Sequence, residues 1–239
     1  MRRRFVGPRP GFYAARSAPR LTGEECPRTP LAARGALDWA WLAGHPRPKP
    51  TLGAPVTTVT YAGDSITNPE NSFSWTRFLT GTDLRLVSGV GISGATSAAV
   101  RNAVAPVDAD VLVVMVGTND IRLGVGRSTI RDNIAAIVEV VGADHVVIGQ
   151  VAPSNLTDYG ADHIDRAAGG FAHNRDLARF TADRGWLLVD PWFPVRRLDG
   201  TYASGAADAD GVHPTVATGT TAGAILSTAI RIAAGGASA

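Results

Sequence analysis

Three residues far apart in the chain have the side chains that a nucleophilic serine mechanism requires. Ser65 offers a hydroxyl, which is a weak nucleophile at neutral pH unless a base lies within hydrogen-bond reach. His213 is the natural base, because imidazole side chains titrate near neutrality. Asp210, three residues earlier, is spaced to hold the ring's Nδ1 and to stabilise the imidazolium that forms when the serine attacks. The trio predicts acyl transfer through a serine nucleophile.

Such chemistry also needs hydrogen-bond donors for the negatively charged tetrahedral intermediate. Asn119 offers a side-chain amide, while Gly94 and Ser65 offer backbone N–H groups. Loss of one such donor typically costs about 10²–10³ in kcat. We therefore expect catalytic roles for the set Ser65, Gly94, Asn119, Asp210 and His213.

The elements that must position these residues alternate between strand and helix. Strands are predicted over residues 56–62, 84–87, 110–116, 145–151 and 186–189, and helices over 71–80, 96–104, 127–141, 171–184 and 217–234. This alternation predicts an α/β fold with a mainly parallel, five-stranded sheet and helices on both faces. The candidate residues follow strand ends, where open parallel sheets bind their ligands. Ser65 should lie before the first helix, near the positive end of its dipole.

Charge and composition divide the chain into two parts. Residues 1–50 are rich in Pro and Arg with a net charge of +7, whereas the remainder carries −5. We predict a basic N-terminal arm over residues 1–50 and a folded domain over 51–239. The folded part lacks the basic, aromatic-rich groove of nucleic-acid binders. No apolar run reaches the roughly 20 residues of a membrane span.

The targeting and metal-binding signals are weak. The Arg-rich start is not followed by the apolar stretch of an export signal, so a cytoplasmic location is the default expectation and secretion stays open. The single cysteine, Cys26, cannot form an intrachain disulfide, and the five histidines lack metal-ligand spacing. The sequence gives no indication of oligomeric state.

In four blocks the chain resembles the SGNH/GDSL hydrolase superfamily. The blocks are Gly-Asp-Ser-Ile at 63–66, Gly-Ile-Ser-Gly-Ala-Thr at 91–96, Gly-Thr-Asn-Asp at 117–120 and Asp-Gly-Val-His-Pro at 210–214, in the family's order. The resemblance implies a flavodoxin-like α/β/α sandwich that hydrolyses small-molecule esters without a metal or cofactor. It implies a Ser65–His213–Asp210 triad and an oxyanion hole of Ser65, Gly94 and Asn119. Gly89 and Ala95 depart from the family's usual Asn and Asp in the second block.

Two alternatives remain beside an esterase. Residues 89–94 match the G-x-G-x-x-G pattern of dinucleotide-binding oxidoreductases, and Asp108 and Asp110 lie near the expected distance of about 20 residues. Those acids precede the third strand, however, whereas a ribose-binding acid belongs at its end. A catalytically inactive ligand-binding member of the same fold is the second alternative, since a fold does not fix a function.

The sequence leaves the acyl and alcohol groups of the ester undetermined. Simple esters, lipids, thioesters and acetylated sugars all fit the predicted chemistry. We expect the loops at 120–127, 154–170 and 192–209 to shape specificity. Trp192 and Phe193 are either part of an apolar acyl pocket or ordinary core residues.

Overall fold

The computed structural model describes residues 56–157 and 165–235. The predicted arm at residues 1–50 lies outside this part of the chain, so the proposed division at residue 50 stays a prediction. The described residues form a sheet covered by helices on both faces.

The sheet is parallel throughout. Its strands are β1 (Thr57–Gly63), β2 (Leu84–Leu86), β3 (Val90–Gly91), β4 (Val111–Met115), β5 (His145–Gly149) and β6 (Leu187–Val189). Their order is β2-β1-β4-β5-β6, and the two-residue β3 pairs with β1 beyond the end of β2. The predicted α/β fold with a mainly parallel sheet is confirmed, with six strands because β3 continues the edge position that β2 begins.

In the part of the chain that the structure describes, five α-helices accompany the strands. They are α1 (Ser97–Ala103), α2 (Thr118–Arg122), α3 (Arg127–Val141), α4 (Arg166–Ala182) and α5 (Val216–Ala233). Successive residues of the fully buried β4 point to opposite faces of the sheet. Leu112 and Val114 pack with α1, α3 and α4, whereas Val111 and Val113 pack with α5. A central strand with two apolar faces therefore organises both cores of a three-layer sandwich.

The segment after β1 differs from its prediction. In place of a helix over residues 71–80, the chain forms turns followed by a single 3₁₀ turn, Trp75–Phe78. Asn68 and Ser74 accept hydrogen bonds from nearby backbone N–H groups, which compete with helical bonding. Ser65 consequently has no α-helix directly after it, and the expected help from a helix dipole at this position is wrong.

Helix α5 is the one described helix whose length and composition alone would suit a membrane span. It packs on the sheet through Ala222, Leu226 and Ile230, all of which are fully buried. A buried core helix of a globular domain has the same composition, and we interpret α5 in this way.

Candidate active site

Ser65 lies in the first turn beyond the carboxyl end of β1. The Asp64 carboxylate accepts a hydrogen bond from the Ile66 N–H at 3.0 Å, which closes the turn around the serine. The Asn71 side-chain amide donates to the Ser65 carbonyl at 2.7 Å and so fixes the backbone from the other side. Hydrogen bonds on both sides therefore fix the backbone that carries the Ser65 hydroxyl.

His213 and Asp210 come from one short turn that precedes α5. The Ser65 Oγ lies 2.8 Å from His213 Nε2, although the two residues are separated by 148 positions. On the other side of the ring, Nδ1 lies 2.5 Å from Asp210 Oδ2. A hydroxyl, an imidazole and a carboxylate thus form one continuous line of hydrogen bonds.

The carboxylate of Asp210 is held in its ionised form by the turn itself. Partial burial raises its pKa, but hydrogen bonds from the backbone N–H groups of His213 and Val212 and from the imidazole outweigh this effect. The pKa of Asp210 is consequently below its usual range. Gly211 makes this turn possible, because it adopts a φ of 68°, which residues with a side chain rarely accept.

An aromatic ring holds the histidine from a third direction. The rings of Phe73 and His213 stack with centroids 4.8 Å apart and planes tilted by 31°. The Tyr202 hydroxyl donates to the carbonyl of Val212 at 3.2 Å, which anchors the turn from below. The imidazole therefore has few orientations available other than the one that faces Ser65.

Asn119 and Gly94 reach the same cleft from two further loops. Asn119 lies in the first turn of α2 and its Nδ2 donates to the Ala95 carbonyl at 3.0 Å. Gly94 is exposed, with a φ of 76°. The structure thus brings together the predicted set, and all of its members line one cleft of about 600 Å³: Ser65, Gly94, Asn119, Asp210 and His213.

The cleft also has walls that sequence analysis did not identify. Its remaining lining residues are Asn71, Phe73, Ser93, Thr118, Arg122, Leu156, Arg166 and Val212. Two of the loops expected to shape specificity contribute Arg122, Leu156 and Arg166. Arg122 follows Asn119 by three residues, so helical spacing would have identified it had α2 been predicted.

A buried acid immediately precedes Ser65 in the chain. Asp64 is only 2% exposed, and burial raises its pKa to about 6, opposed by its hydrogen bond from Ile66 and by the charge of His213. Asp120 is also buried and accepts hydrogen bonds from the backbone and side chain of Ser97, which ties α2 to α1. Hydrogen bonds to these two acids hold the turn that contains Ser65 and join the start of α1 to α2.

Trp192 and Phe193 do not line the cleft. Trp192 is fully buried in the core beside α5, where its Nε1 donates to the Gln150 carbonyl, and Phe193 is largely exposed. The interpretation of Trp192 as an ordinary core residue is therefore correct, and the expectation of an acyl pocket at these two positions is wrong.

The geometry around residues 89–94 departs from a dinucleotide-binding turn. Val90 and Gly91 belong to β3, and the next helix begins only at Ser97. Asp110 directly precedes β4 and accepts hydrogen bonds from the backbone N–H and the hydroxyl of Thr58. It therefore lies at the opposite end of β4 from Asn119, which follows that strand. Asp110, one of the two acids near the expected distance, is thus committed to Thr58. Among the described residues, no three His, Cys, Asp or Glu side chains cluster as a metal site requires.

Solved structures with the same fold include several hydrolases. A GDSL-like lipase from Bacteroides thetaiotaomicron is 22% identical over 76% of this chain and 93% of its own, with a TM-score of 0.59. A lipolytic G-D-S-L family protein from Veillonella parvula is 16% identical over 70% and 93%, with a TM-score of 0.55. The aryl esterase of M. smegmatis is 16% identical over 74% and 100%, with a TM-score of 0.53. Identities this low establish the shared fold alone.

The family assignment rests on the sequence. No curated protein matches the chain significantly. The model of the GDSL-like lipase/acylhydrolase family, however, matches residues 61–218, which is well over half of the chain and contains all five of the residues predicted to be catalytic. The chain belongs to the GDSL-like lipase/acylhydrolase family.

Proposed function

We propose that this chain is a serine hydrolase that cleaves small carboxylic esters through an acyl-enzyme intermediate. The observation that carries the proposal is the line of hydrogen bonds from Ser65 Oγ through the imidazole of His213 to the carboxylate of Asp210, with lengths of 2.8 and 2.5 Å. Family membership supports a hydrolase, and the aryl esterase of similar fold is consistent with an ester substrate.

The first half of the reaction forms the acyl-enzyme. Because Asp210 is ionised, it accepts a hydrogen bond from the Nδ1–H of His213, which keeps that proton on Nδ1 and leaves Nε2 free to accept the hydroxyl proton of Ser65. Ser65 Oγ bonds to the carbonyl carbon while its proton moves to Nε2. When the tetrahedral intermediate collapses, the bond to the alcohol oxygen breaks and Nε2 returns the proton to the leaving alcohol.

The negative charge of the intermediate is stabilised by groups that surround the serine. The Asn119 amide carries two N–H donors, and only one of them is used by Ala95. The second donor, together with the backbone N–H groups of Ser65 and Gly94, stabilises the oxyanion. The glycine's exposed position leaves its N–H open to a ligand.

The second half releases the acid. A water molecule gives a proton to His213 Nε2 as its oxygen bonds to the acyl carbon of the Ser65 ester. Collapse of this second tetrahedral intermediate breaks the bond to Ser65 Oγ, which recovers its proton from Nε2. The carboxylic acid leaves and the enzyme is restored without any external reductant, oxidant or metal.

Hydrolysis of p-nitrophenyl acetate tests the proposal, with Ser65→Ala and Ser72→Ala as a matched pair. Ser72 is exposed in the neighbouring turns, so its variant removes the same hydroxyl without touching the cleft. We expect Ser65→Ala to lose nearly all turnover with an unchanged melting temperature, and Ser72→Ala to keep it. Equal rates for wild type and Ser65→Ala would reject the proposal and favour an inactive ligand-binding protein.

A further inference from the structure

Arg122 places a positive charge in the wall of the cleft, where the described part of the chain offers it no partner. The residue is half-buried at the end of α2 and lines the same cleft as Ser65 and His213. Within residues 56–157 and 165–235, no acceptor or aromatic ring engages its guanidinium. Its charge is therefore available to a ligand.

Other half-buried arginines of the domain are paired. Arg131 contacts Asp176 at 3.0 Å, Arg196 contacts Asp190 at 2.8 Å, and Arg231 contacts Asp83 at 2.6 Å. Partial burial of a cation costs free energy, and a carboxylate partner offsets that cost. Arg122 has no such carboxylate partner among the described residues, and it lines the cleft that contains Ser65.

The rest of the cleft lining contains a second arginine, one acid and several apolar side chains. Arg166 is buried in the wall and donates to the hydroxyl of Thr118 at 3.0 Å. Among the described lining residues Asp210 is the only acid, and its charge is engaged by His213. Phe73, Leu156 and Val212 form the apolar portion of the lining. The cleft thus suits a molecule with a hydrocarbon part and an anionic group.

We propose that the substrate is an ester that also carries a carboxylate, and that Arg122 binds this carboxylate while Ser65 attacks the ester carbonyl. The inference rests on the proposed esterase function and assigns its substrate class. A forked guanidinium matches a carboxylate with two parallel hydrogen bonds, which orients the ester as well as holding it. The reaction remains hydrolysis of one ester bond, and the second carboxylate passes unchanged into the acid or the alcohol product.

Two pairs of esters test the substrate class. Mono-p-nitrophenyl glutarate against p-nitrophenyl pentanoate places the charge on the acyl side, and 4-acetoxybenzoate against 4-acetoxybenzamide places it on the alcohol side. For at least one pair we expect wild type to prefer the charged ester, and Arg122→Gln to lose roughly 10- to 100-fold of that preference in kcat/KM. Rates are taken after subtraction of the Ser65→Ala background, and Arg122→Lys should retain part of the preference.

The control is Arg179→Gln, which removes the same charge from an exposed position on α4. It should leave the preference unchanged, because screening weakens the effect of a distant surface charge. If Arg122→Gln shows the same charged-to-neutral ratio as wild type in both pairs, the proposal is overturned.

Calorimetry with analogues of the same compounds, in which an NH group replaces the ester oxygen, separates this proposal from the proposed function. These amide analogues bind without being hydrolysed as esters. We expect each analogue of a preferred charged ester to bind wild type and Ser65→Ala at least roughly tenfold more tightly than its neutral counterpart, and Arg122→Gln to lose the difference. If wild type hydrolyses no ester but still shows this binding difference, the esterase proposal fails and the anion site stands. Equal binding of charged and neutral analogues to wild type would refute the anion site.

Discussion

The side-chain amide of Asn119 donates to the carbonyl of Ala95 at 3.0 Å, which joins the first turn of α2 to the loop that carries Gly94. The two loops follow different strands, and the hydrogen bonds between Ser97 and Asp120 join the same two segments nearby. One amide therefore has two tasks, since its first N–H holds the neighbouring loop and its second is open to the cleft.

Replacement of Asn119 should thus affect catalysis more than folding. We expect Asn119→Ala to lower kcat about 10²- to 10³-fold, because a donor to the oxyanion is lost and the Gly94 loop loses one of its hydrogen bonds to α2. The measurement is steady-state hydrolysis of p-nitrophenyl acetate together with thermal unfolding. Asn102→Ala, at an exposed position on α1, is the control and should retain full turnover. A kcat within twofold of wild type for Asn119→Ala would contradict its role.

Gly219 determines how closely α5 approaches the segment that supports His213. A Cβ at this position would lie 2.0 Å from the Phe73 carbonyl oxygen, so Gly219→Ala must push Phe73 away. We expect a loss of about 1–3 kcal/mol in the free energy of unfolding and a fall in kcat, because Phe73 stacks on the His213 ring. Urea unfolding and ester hydrolysis measure the two effects.

Gly126→Ala is the matched control for that variant. Its nearest neighbours would be 3.9 Å from the new Cβ, and its φ of −60° suits any residue. Stability should stay within about 0.5 kcal/mol of wild type. Equal effects of the two alanines would mean that the contact between α5 and Phe73 does not hold the histidine.

Asp64 makes stability fall as pH rises. Burial raises its folded pKa to about 6 from an ordinary value of 3.8, so the folded protein retains a proton that the unfolded chain releases. The stabilisation of the folded protein by this retained proton is complete below pH 4, declines as the pH rises to about 6 and stays low at higher pH. Asp64→Asn has no such decline and keeps an acceptor for the Ile66 N–H. Relative to wild type it should gain up to about 3 kcal/mol between pH 4 and pH 7 in urea titrations.

Parallel stability curves for wild type and Asp64→Asn across this range would show that the carboxyl group titrates normally. Asp132→Asn, at an exposed position on α3, serves as the comparison and should follow the wild-type curve.

His173 has the opposite dependence on pH. It is fully buried on α4, and neither ring nitrogen has a partner among the described residues. Burial, helped by the charge of Arg131, lowers its pKa to about 4. The stability that depends on a neutral ring is complete above pH 6.5 and is lost as pH falls towards 4. His173→Leu should therefore gain stability relative to wild type by up to about 3 kcal/mol on acidification from pH 7 to pH 4.

Urea titrations at a series of pH values measure this difference. The exposed His145 provides the control, since His145→Leu removes an imidazole that is not enclosed by the core. A difference between His173→Leu and wild type that does not change with pH would contradict a buried neutral imidazole.

Sequence patterns predicted the framework because its elements are strongly periodic. The continuous apolar run of β4 reflects burial of that strand on both faces of the sheet. The spacing of Ile130, Ile134 and Ile137 reflects burial of one face of α3. The convergence of Ser65 with His213 also followed from parallel strands, which bring separate loops to one edge.

The remaining features depend on tertiary contacts. The segment at 71–80 has apolar residues at helical spacing, yet it forms turns. The side chains of Asn68 and Ser74 accept hydrogen bonds from nearby backbone N–H groups, in place of helical acceptors. Residues 117–120 are typical of turns, so the sequence did not predict the short helix α2. The position of Arg122 in the cleft, which depends on that helix, was therefore not predicted either. The fixed ring of Phe73 depends on the absence of a side chain at Gly219, nearly 150 positions later, which no local pattern reveals.

The 148 positions between Ser65 and His213 have a consequence for biosynthesis. Translation proceeds from the N-terminus, so β1 and Ser65 leave the ribosome long before the turn that carries His213. The ring also needs Phe73, whose segment packs against α5 near the end of the chain. The proposed esterase activity can therefore arise in a nascent polypeptide of this layout only when almost all of it has been made.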